Sequence, residues 1–205
     1  MARAFGRSRL SAFILLGLAS LSLASCGINS VPAAEEVAKA KWADVQAQYQ
    51  RRSDLVGNLV STVKAAAKQE QDTLVKVTEA RAKATSIQVS AEDLNDPKKV
   101  AQFQQAQGAL SQSLGRLLAS VEAYPDLKTN QNFLALQSQL EGTENRITVA
   151  ISDYNEAVRA YNTRIRTFPD MIGAKLVHGA QPMTPFAAKA GAEDAPNVGA
   201  MFDGK

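Results

Sequence analysis

The stretch from Asn130 to Pro169, NQNFLALQSQLEGTENRITVAISDYNEAVRAYNTRIRTFP, decides the fold. Phe133, Gln137, Leu140, Glu144, Ile147, Ile151, Tyr154, Val158, Tyr161, Ile165 and Phe168 recur at intervals of three and four, the spacing that stacks side chains on one face of an α-helix. Thr129 or Asn130 supplies a capping acceptor at the start, and Pro169 stops the run. A helix this long with one apolar stripe needs partners of the same kind, and the sequence on its N-terminal side supplies them.

Asp96 followed by Pro97 marks a second helix start, with a stripe through Val100, Phe103, Gln107, Leu110, Leu114, Leu117, Val121 and Tyr124 that ends before Pro125. From Ser30 to Ile87 the chain has no proline after Pro32 and a single glycine, Gly57, which predicts one long first helix with Ser30, Pro32, Glu35 and Glu36 in its first turn. Trp42, Tyr49, Val56, Val63, Val77 and Ala84 share one heptad position and Val45, Leu59, Ala66, Ala80 and Ile87 another, with polar interruptions at Arg52, Glu70 and Thr73. The expected fold is all-α, a long antiparallel helical bundle of three long helices plus a short C-terminal helix from DMIGAKLVHG. On those connections Gln107 falls near Val77 and Tyr124 near Val60. The first half of helix one then overhangs as a stalk of about 35 Å at 1.5 Å per residue. Trp42, Val45 and Tyr49 on that stalk are too apolar for bare solvent and call for another chain, lipid headgroups or the returning C-terminal segment.

The N-terminus reads as an address. Arg3, Arg7 and Arg9 precede the apolar run SAFILLGLASLSLA, which is shorter than the roughly 20 residues of a spanning helix. Leu23, Ala24 and Ser25 before the single cysteine resemble the lipobox of bacterial lipoproteins, so Cys26 is the expected lipid attachment point; the alternative is an uncleaved signal anchor. Two or more acyl chains give stable membrane binding where one is marginal. The expected organisation is a signal peptide at 1–25, an anchor linker at 26–34, the bundle at 35–178 and a flexible tail, rich in Ala, Gly and Pro, at 179–205. Removal of residues 1–25 takes three of the 23 basic residues and none of the 20 acidic ones, so the remainder is formally neutral and its charge gives no support to nucleic-acid binding. With one cysteine the chain forms no internal disulfide.

Two stretches, QYQRRSDLVGNLVSTVKAAAKQEQDTLVKVTEARAKA and YPDLKTNQNFLALQSQLEGTENRITVAISDYNEAVRAYNTRIRTFP, closely resemble the signature regions of LemA family proteins, and the resemblance covers about Lys41 to Phe186. It implies a membrane-attached antiparallel bundle displayed outside the cytoplasm, with no established enzymatic activity and no catalytic residues to carry over. Some members of that family look like components of specialised membranes such as magnetosomes. The chain departs from the usual pattern in its lipobox cysteine, where the family has a longer spanning helix, and in Gly57, where the family often has proline.

The inventory for catalysis is thin. His178 is the only histidine and lies near the tail, Cys26 is assigned to the anchor, and there is no glycine-rich phosphate loop, so no catalytic residue, metal or cofactor is expected. What remains is a polar layer inside the apolar seams, Glu70, Gln107, Gln137 and Glu144, which reads as buried hydrogen bonds or pairs with Arg81, Arg116 or Arg146 that fix register. By the levels above, Glu70 and Glu144 lie within roughly two turns of one another. The aromatic stripe Tyr154, Tyr161 and Phe168 reads as core, and the pair Arg51 and Arg52 beside Asp54 as a solvated face. The expected function is a membrane-anchored, non-enzymatic scaffold with a protein partner in the cell envelope. It would sit on the periplasmic face of an outer or inner membrane, or on the cell surface of a Gram-positive host. The competing readings are an adaptor or subunit of a membrane enzyme such as a protease, and a module that remodels lipid. Exposed Trp42 and Tyr49 favour the competitors; their burial against the C-terminal segment favours the scaffold.

Overall fold

Two capping side chains set the frame of the bundle. Asp96 accepts hydrogen bonds from the amides of Lys98 and Lys99 and opens α3 (Pro97–Val121), and Asn130 accepts from Asn132 and Phe133 and opens α5 (Gln131–Arg164). The computed structural model describes residues 3–66 and 70–187, with side chains from Ile28 onward apart from Ala66. The remaining helices are α1 (Arg3–Ala66), α2 (Gln71–Ser86), the single turn α4 (Pro125–Lys128) and α6 (Asp170–Gly173), which widens into a π turn over Ala174–His178. A 3₁₀ turn, Ala91–Asn95, precedes α3. The all-α bundle is as expected, and among the described residues there is no strand.

The count of long helices is four rather than three, because the first expected helix is two. α1 ends at Ala66, and α2 folds back along it, so that Arg81 Nε donates to the carbonyl of Ser53 at 2.7 Å. The segment Ala65–Asp72 consists of good helix formers up to Gln71, with no proline or glycine, so local propensity does not ask for a break. Packing does. Leu74, Val77 and Ala84 are buried in one cluster with Leu55, Leu59 and Val63 of α1 and Leu110, Leu114 and Leu117 of α3, and it is the return of α2 along α1 that closes the α1 side of that cluster. Gly57 permits the close crossing: a Cβ there would stand 3.3 Å from Arg81 Cζ.

The revised hairpin corrects the levels. Gln107 lies at Ala84, whose carbonyl it reaches at 3.2 Å, and Tyr124 lies at Glu70, whose carboxylate accepts its hydroxyl at 3.0 Å. α3 therefore runs with α1, and α5 runs against it, as Lys41 with Asp153, Gln48 with Arg146 and Ser30 with Arg164 show. The topology is up, down, up, down. α5 covers α1 as far back as Ser30, so the expected bare stalk does not exist.

The upper half of α1 is closed by the C-terminal segment. Trp42 is 1% exposed, donates Nε1–H to the carbonyl of Val89 at 2.8 Å, and packs against Phe103, Tyr154 and Phe186 at ring separations of 5.2 to 6.1 Å. Residues 179–187, placed in the mobile tail by composition, lie along α5. Asn155 clamps the backbone of Phe186 with both ends of its amide, Asn162 does the same to Met183, and the hydroxyls of Tyr154 and Tyr161 donate to Thr184 and Gln181. Residues 188–205 of that tail lie outside the described residues, as does the side chain of Cys26.

The helix does not begin at Ser30: α1 runs through Pro32. Proline has no N–H, so the carbonyl of Ile28 loses its helical donor, and His178 Nε2 supplies one at 2.8 Å. A carbonyl only accepts, which places the proton on Nε2. Among the described residues no helix is long and apolar enough to cross a membrane.

The hairpin has a direct test. Spin labels at the exposed positions Asp54 and Ala82 are expected within about 20 Å of each other, two helix diameters, whereas an unbroken helix sets them about 42 Å apart at 1.5 Å per residue.

Candidate functional site

The polar residues inside the bundle gather on a side chain that the sequence reading placed in solvent. Arg52 is 2% exposed. It occupies the heptad seam between Val45 and Leu59, and the turn of α1 that carries it faces the other three long helices. Its Nη1 donates to Ser111 Oγ at 2.8 Å and to Glu144 Oε1 at 3.1 Å; its Nη2 donates to the side-chain and backbone oxygens of Gln107. Gln107 then donates to the carbonyl of Ala84 at 3.2 Å. One layer thus ties α1, α2, α3 and α5 through a single guanidinium. The Tyr49 ring closes one side, with Arg52 Cζ 4.8 Å from its centroid.

Of the four residues expected in the polar layer, this site holds two, Gln107 and Glu144. Arg52 is their partner, in place of Arg81, Arg116 or Arg146. Gln137 lies outside the layer on α5, bonded to Glu141 at 3.2 Å. Glu70 lies at the opposite end of α2 with Tyr124, about 25 Å from Gln107 along α3 at 1.5 Å per residue, so it does not approach Glu144. In the aromatic stripe Tyr154 and Tyr161 are core, but Phe168 lies beyond the end of α5 and is 67% exposed.

A groove of about 370 Å³ opens beside the layer between α1, α2 and α3, lined by Gln46, Gln50, Ser53, Thr85, Gln88 and Gln107 with Tyr49 and Phe103 at its apolar side. Its polar groups are amides and hydroxyls. They donate and accept hydrogen bonds, and none is a general base or an activated nucleophile. Two buried atoms here have no partner, Ser53 Oγ and Arg52 Nε. Among the described residues no three His, Cys, Asp or Glu side chains converge as metal ligands. Burial pushes the Tyr49 hydroxyl up to about 12 against the smaller opposing pull of Arg52, so the ring stays neutral and apolar.

What the sequence reading missed is the Tyr-Asn dipeptide repeated seven residues apart, Tyr154-Asn155 and Tyr161-Asn162, which receives residues 181–186. Each tyrosine points its ring inward and each asparagine offers one donor and one acceptor to an extended backbone, as a strand edge does. The spacing was visible; the segment it holds was not.

A family model described as the LemA family matches residues 41–199. Protein LemA of Metamycoplasma hominis is 28% identical over 125 residues, which are 60% of this chain and 52% of that protein. Magnetosome proteins MamQ 1 and MamQ 2 of Paramagnetospirillum magneticum are each 36% identical over 64 residues, 31% of this chain and 24% of theirs. The chain therefore matches about half the length of the first relative and about a quarter of the other two.

Two measurements test the layer. Arg52→Met leaves Gln107, Ser111 and Glu144 without their donor and is expected to cost about 3 kcal/mol in urea unfolding. Glu144→Leu removes the counter-charge, a carboxylate that is 43% exposed, but leaves Arg52 its bonds to Gln107 and Ser111, and is expected to cost less, about 1.5 kcal/mol. The reverse order would remove Arg52 from the centre. The second concerns pH. Tyr49 ionises near 10 when unfolded but near 12 when folded, so between those values the unfolded chain releases a proton that the folded chain keeps. Stability is whole below about pH 10 and falls as the pH rises toward 12. Tyr49→Phe is expected to make that decline shallower, with the other groups whose values are raised, Tyr154 and Tyr161 by burial among them, contributing to what is left. Equal declines in the two chains would contradict the assignment.

Proposed function

Because the chain belongs to the LemA family, we propose that it works as a membrane-anchored, non-enzymatic scaffold of the cell envelope, tethered by lipid at Cys26 and offering the outer faces of its helices to protein partners. The observation that carries this reading is the burial of Trp42 and Tyr49 under Phe186. A bundle whose most apolar half-helix is covered by its own C-terminal segment has no need of lipid or another chain to complete its core. The Arg52 layer supports it too. Its guanidinium, amide and carboxylate are engaged with one another in positions that fix helix register, and such groups are poorly placed to turn over a substrate.

The anchor follows from the chemistry of the N-terminal segment: a basic start, an apolar run of signal length and small residues before one cysteine. Lipidation there gives the bundle two or more acyl chains and holds it at a bilayer.

Intact mass of the chain extracted from its own membranes tests the anchor: loss of residues 1–25 with a gain of acyl mass is expected, and a full-length unmodified chain refutes lipidation. Proximity labelling from the same chain tests the scaffold. Protein neighbours are expected with wild type and should fall away with a Cys26→Ser chain released from the membrane; identical neighbours for both would separate the anchor from the function.

A further inference from the structure

The bundle ends in an apolar cap that its own fold leaves uncovered. Phe168 is 67% exposed, Ile172 48%, Leu176 82% and Val177 60%, while Gly173 and Ala174 between them are buried against the bundle. Ile172 and Leu176 stand four residues apart along α6 and the π turn that continues it, and Phe168 is exposed in the turn two residues before α6 begins. Phe168 is the exposed aromatic ring of a bundle whose other described aromatic side chains are buried or half-buried, and apolar side chains gathered at one end in this way mark an interaction surface.

Its position says what it meets. His178 binds the carbonyl of Ile28 and Arg164 that of Ser30, at 2.8 and 3.3 Å, which fastens the cap beside the first turns after the N-terminal apolar run. Ile28 is itself 44% exposed. The α1 backbone continues helically from that point back to Arg3, through the apolar residues Leu10–Leu23 and Cys26. The cap and the tether thus leave the bundle at the same end. The charge around the cap suits the same partner: Arg166 and Lys175 are exposed, and the neighbouring acid, Asp170, is paired with Arg164 at 3.6 Å. Apolar side chains flanked by cations are the composition of a segment that lies in the headgroup boundary of an anionic bilayer.

We propose that Phe168, Ile172, Leu176 and Val177 dip into the bilayer beside the anchor and seat the bundle end-on upon it, a second membrane contact that rests on the anchoring reading above. The lipid tether then sets where the chain is held, and the cap sets how it stands. His178 acts through position, as the donor that satisfies the carbonyl freed by Pro32 and keeps the cap against α1.

The test uses the full chain, carrying a genetically encoded environment-sensitive fluorescent residue at Leu176 or, as a control, at Val149, which is exposed midway along α5. The chain is reconstituted in phosphatidylglycerol and phosphatidylcholine vesicles with and without doxyl-labelled lipid. The residue at position 176 is expected to be blue-shifted and quenched about twofold or more by the doxyl lipid, as interfacial burial requires, with position 149 unchanged. Equal, aqueous signals at both sites overturn the proposal. A blue shift that grows with protein concentration and resists doxyl quenching also overturns it, assigning the cap to contact between copies. Flotation of the same samples separates the two readings: a chain that floats with an aqueous residue 176 sinks only the cap, whereas one that fails to float sinks the anchor and the cap together. Ile172→Asp combined with Leu176→Asp, with helicity retained by circular dichroism, should abolish doxyl quenching of a probe at Phe168; undiminished quenching would count against the proposal.

Discussion

One guanidinium decides how four helices stand against each other. Apolar seams alone leave a bundle free to slide by a heptad, since a valine layer meets a leucine layer almost as well one repeat along. Arg52 removes that freedom. Its N–H groups sit in a rigid fork, and acceptors for the four on Nη1 and Nη2 come from two side chains and a backbone carbonyl of α3 and one carboxylate of α5, while Gln107 carries the connection on to α2. A slip by one repeat would leave a buried cation and a buried amide unpaired, at a cost of several kcal/mol against a total stability that for single domains is about 5 to 15. Glu144 is the member that reaches solvent, so the charge of the pair is partly hydrated and the layer escapes the full desolvation cost of a wholly buried ion pair.

The same economy explains the crossing between α1 and α2. A helix of the length expected from Ser30 to Ile87 would leave Leu74, Val77 and Ala84 facing water over their whole stripe unless a partner followed it. Dividing the run into α1 and α2 lets α2 return along α1 and recovers that burial, with Arg81 reaching over Gly57 to the Ser53 carbonyl. Glycine weakens a helix interior by about 1 kcal/mol relative to alanine, and here the missing Cβ is the space the arginine uses.

What the sequence made legible was whatever local rules govern. Asp96 with Pro97 and Asn130 open helices because a short acceptor there meets free amides, and both caps form. The α3 and α5 stripes are buried from Val100 to Val121 and from Phe133 to Ile165 at the positions the periodicity picks out, with Gln137, Glu144 and Ile151 as partly exposed breaks. The division into α1 and α2 was not legible, because residues suited to helix carry no mark of a reversal that packing imposes. Arg52 was half legible. Its seam position argues for burial and its neighbours Arg51 and Asp54 argue for solvent. Only the three-dimensional coincidence of Gln107, Ser111 and Glu144 decides between them. The clamp on residues 181–186 was hidden for a related reason: a Pro- and Gly-rich segment has no period of its own, and its order comes from Asn155 and Asn162 on another element.

These constraints divide the bundle into ends of different character. At the α1–α2 turn the chain closes with polar contacts, Tyr124 on Glu70 and Thr73 beside it. At the other end the aromatic cluster of Trp42, Tyr49, Phe103, Tyr154 and Phe186 is sealed by an extended segment, and beyond it Phe168, Ile172 and Leu176 face outward next to the entry of α1. A monomeric bundle folding in water alone would gain nothing from that asymmetry, because apolar side chains at a tip add no core. Under the proposed anchoring the two ends meet different media, and the apolar end is the one beside which α1 enters the bundle.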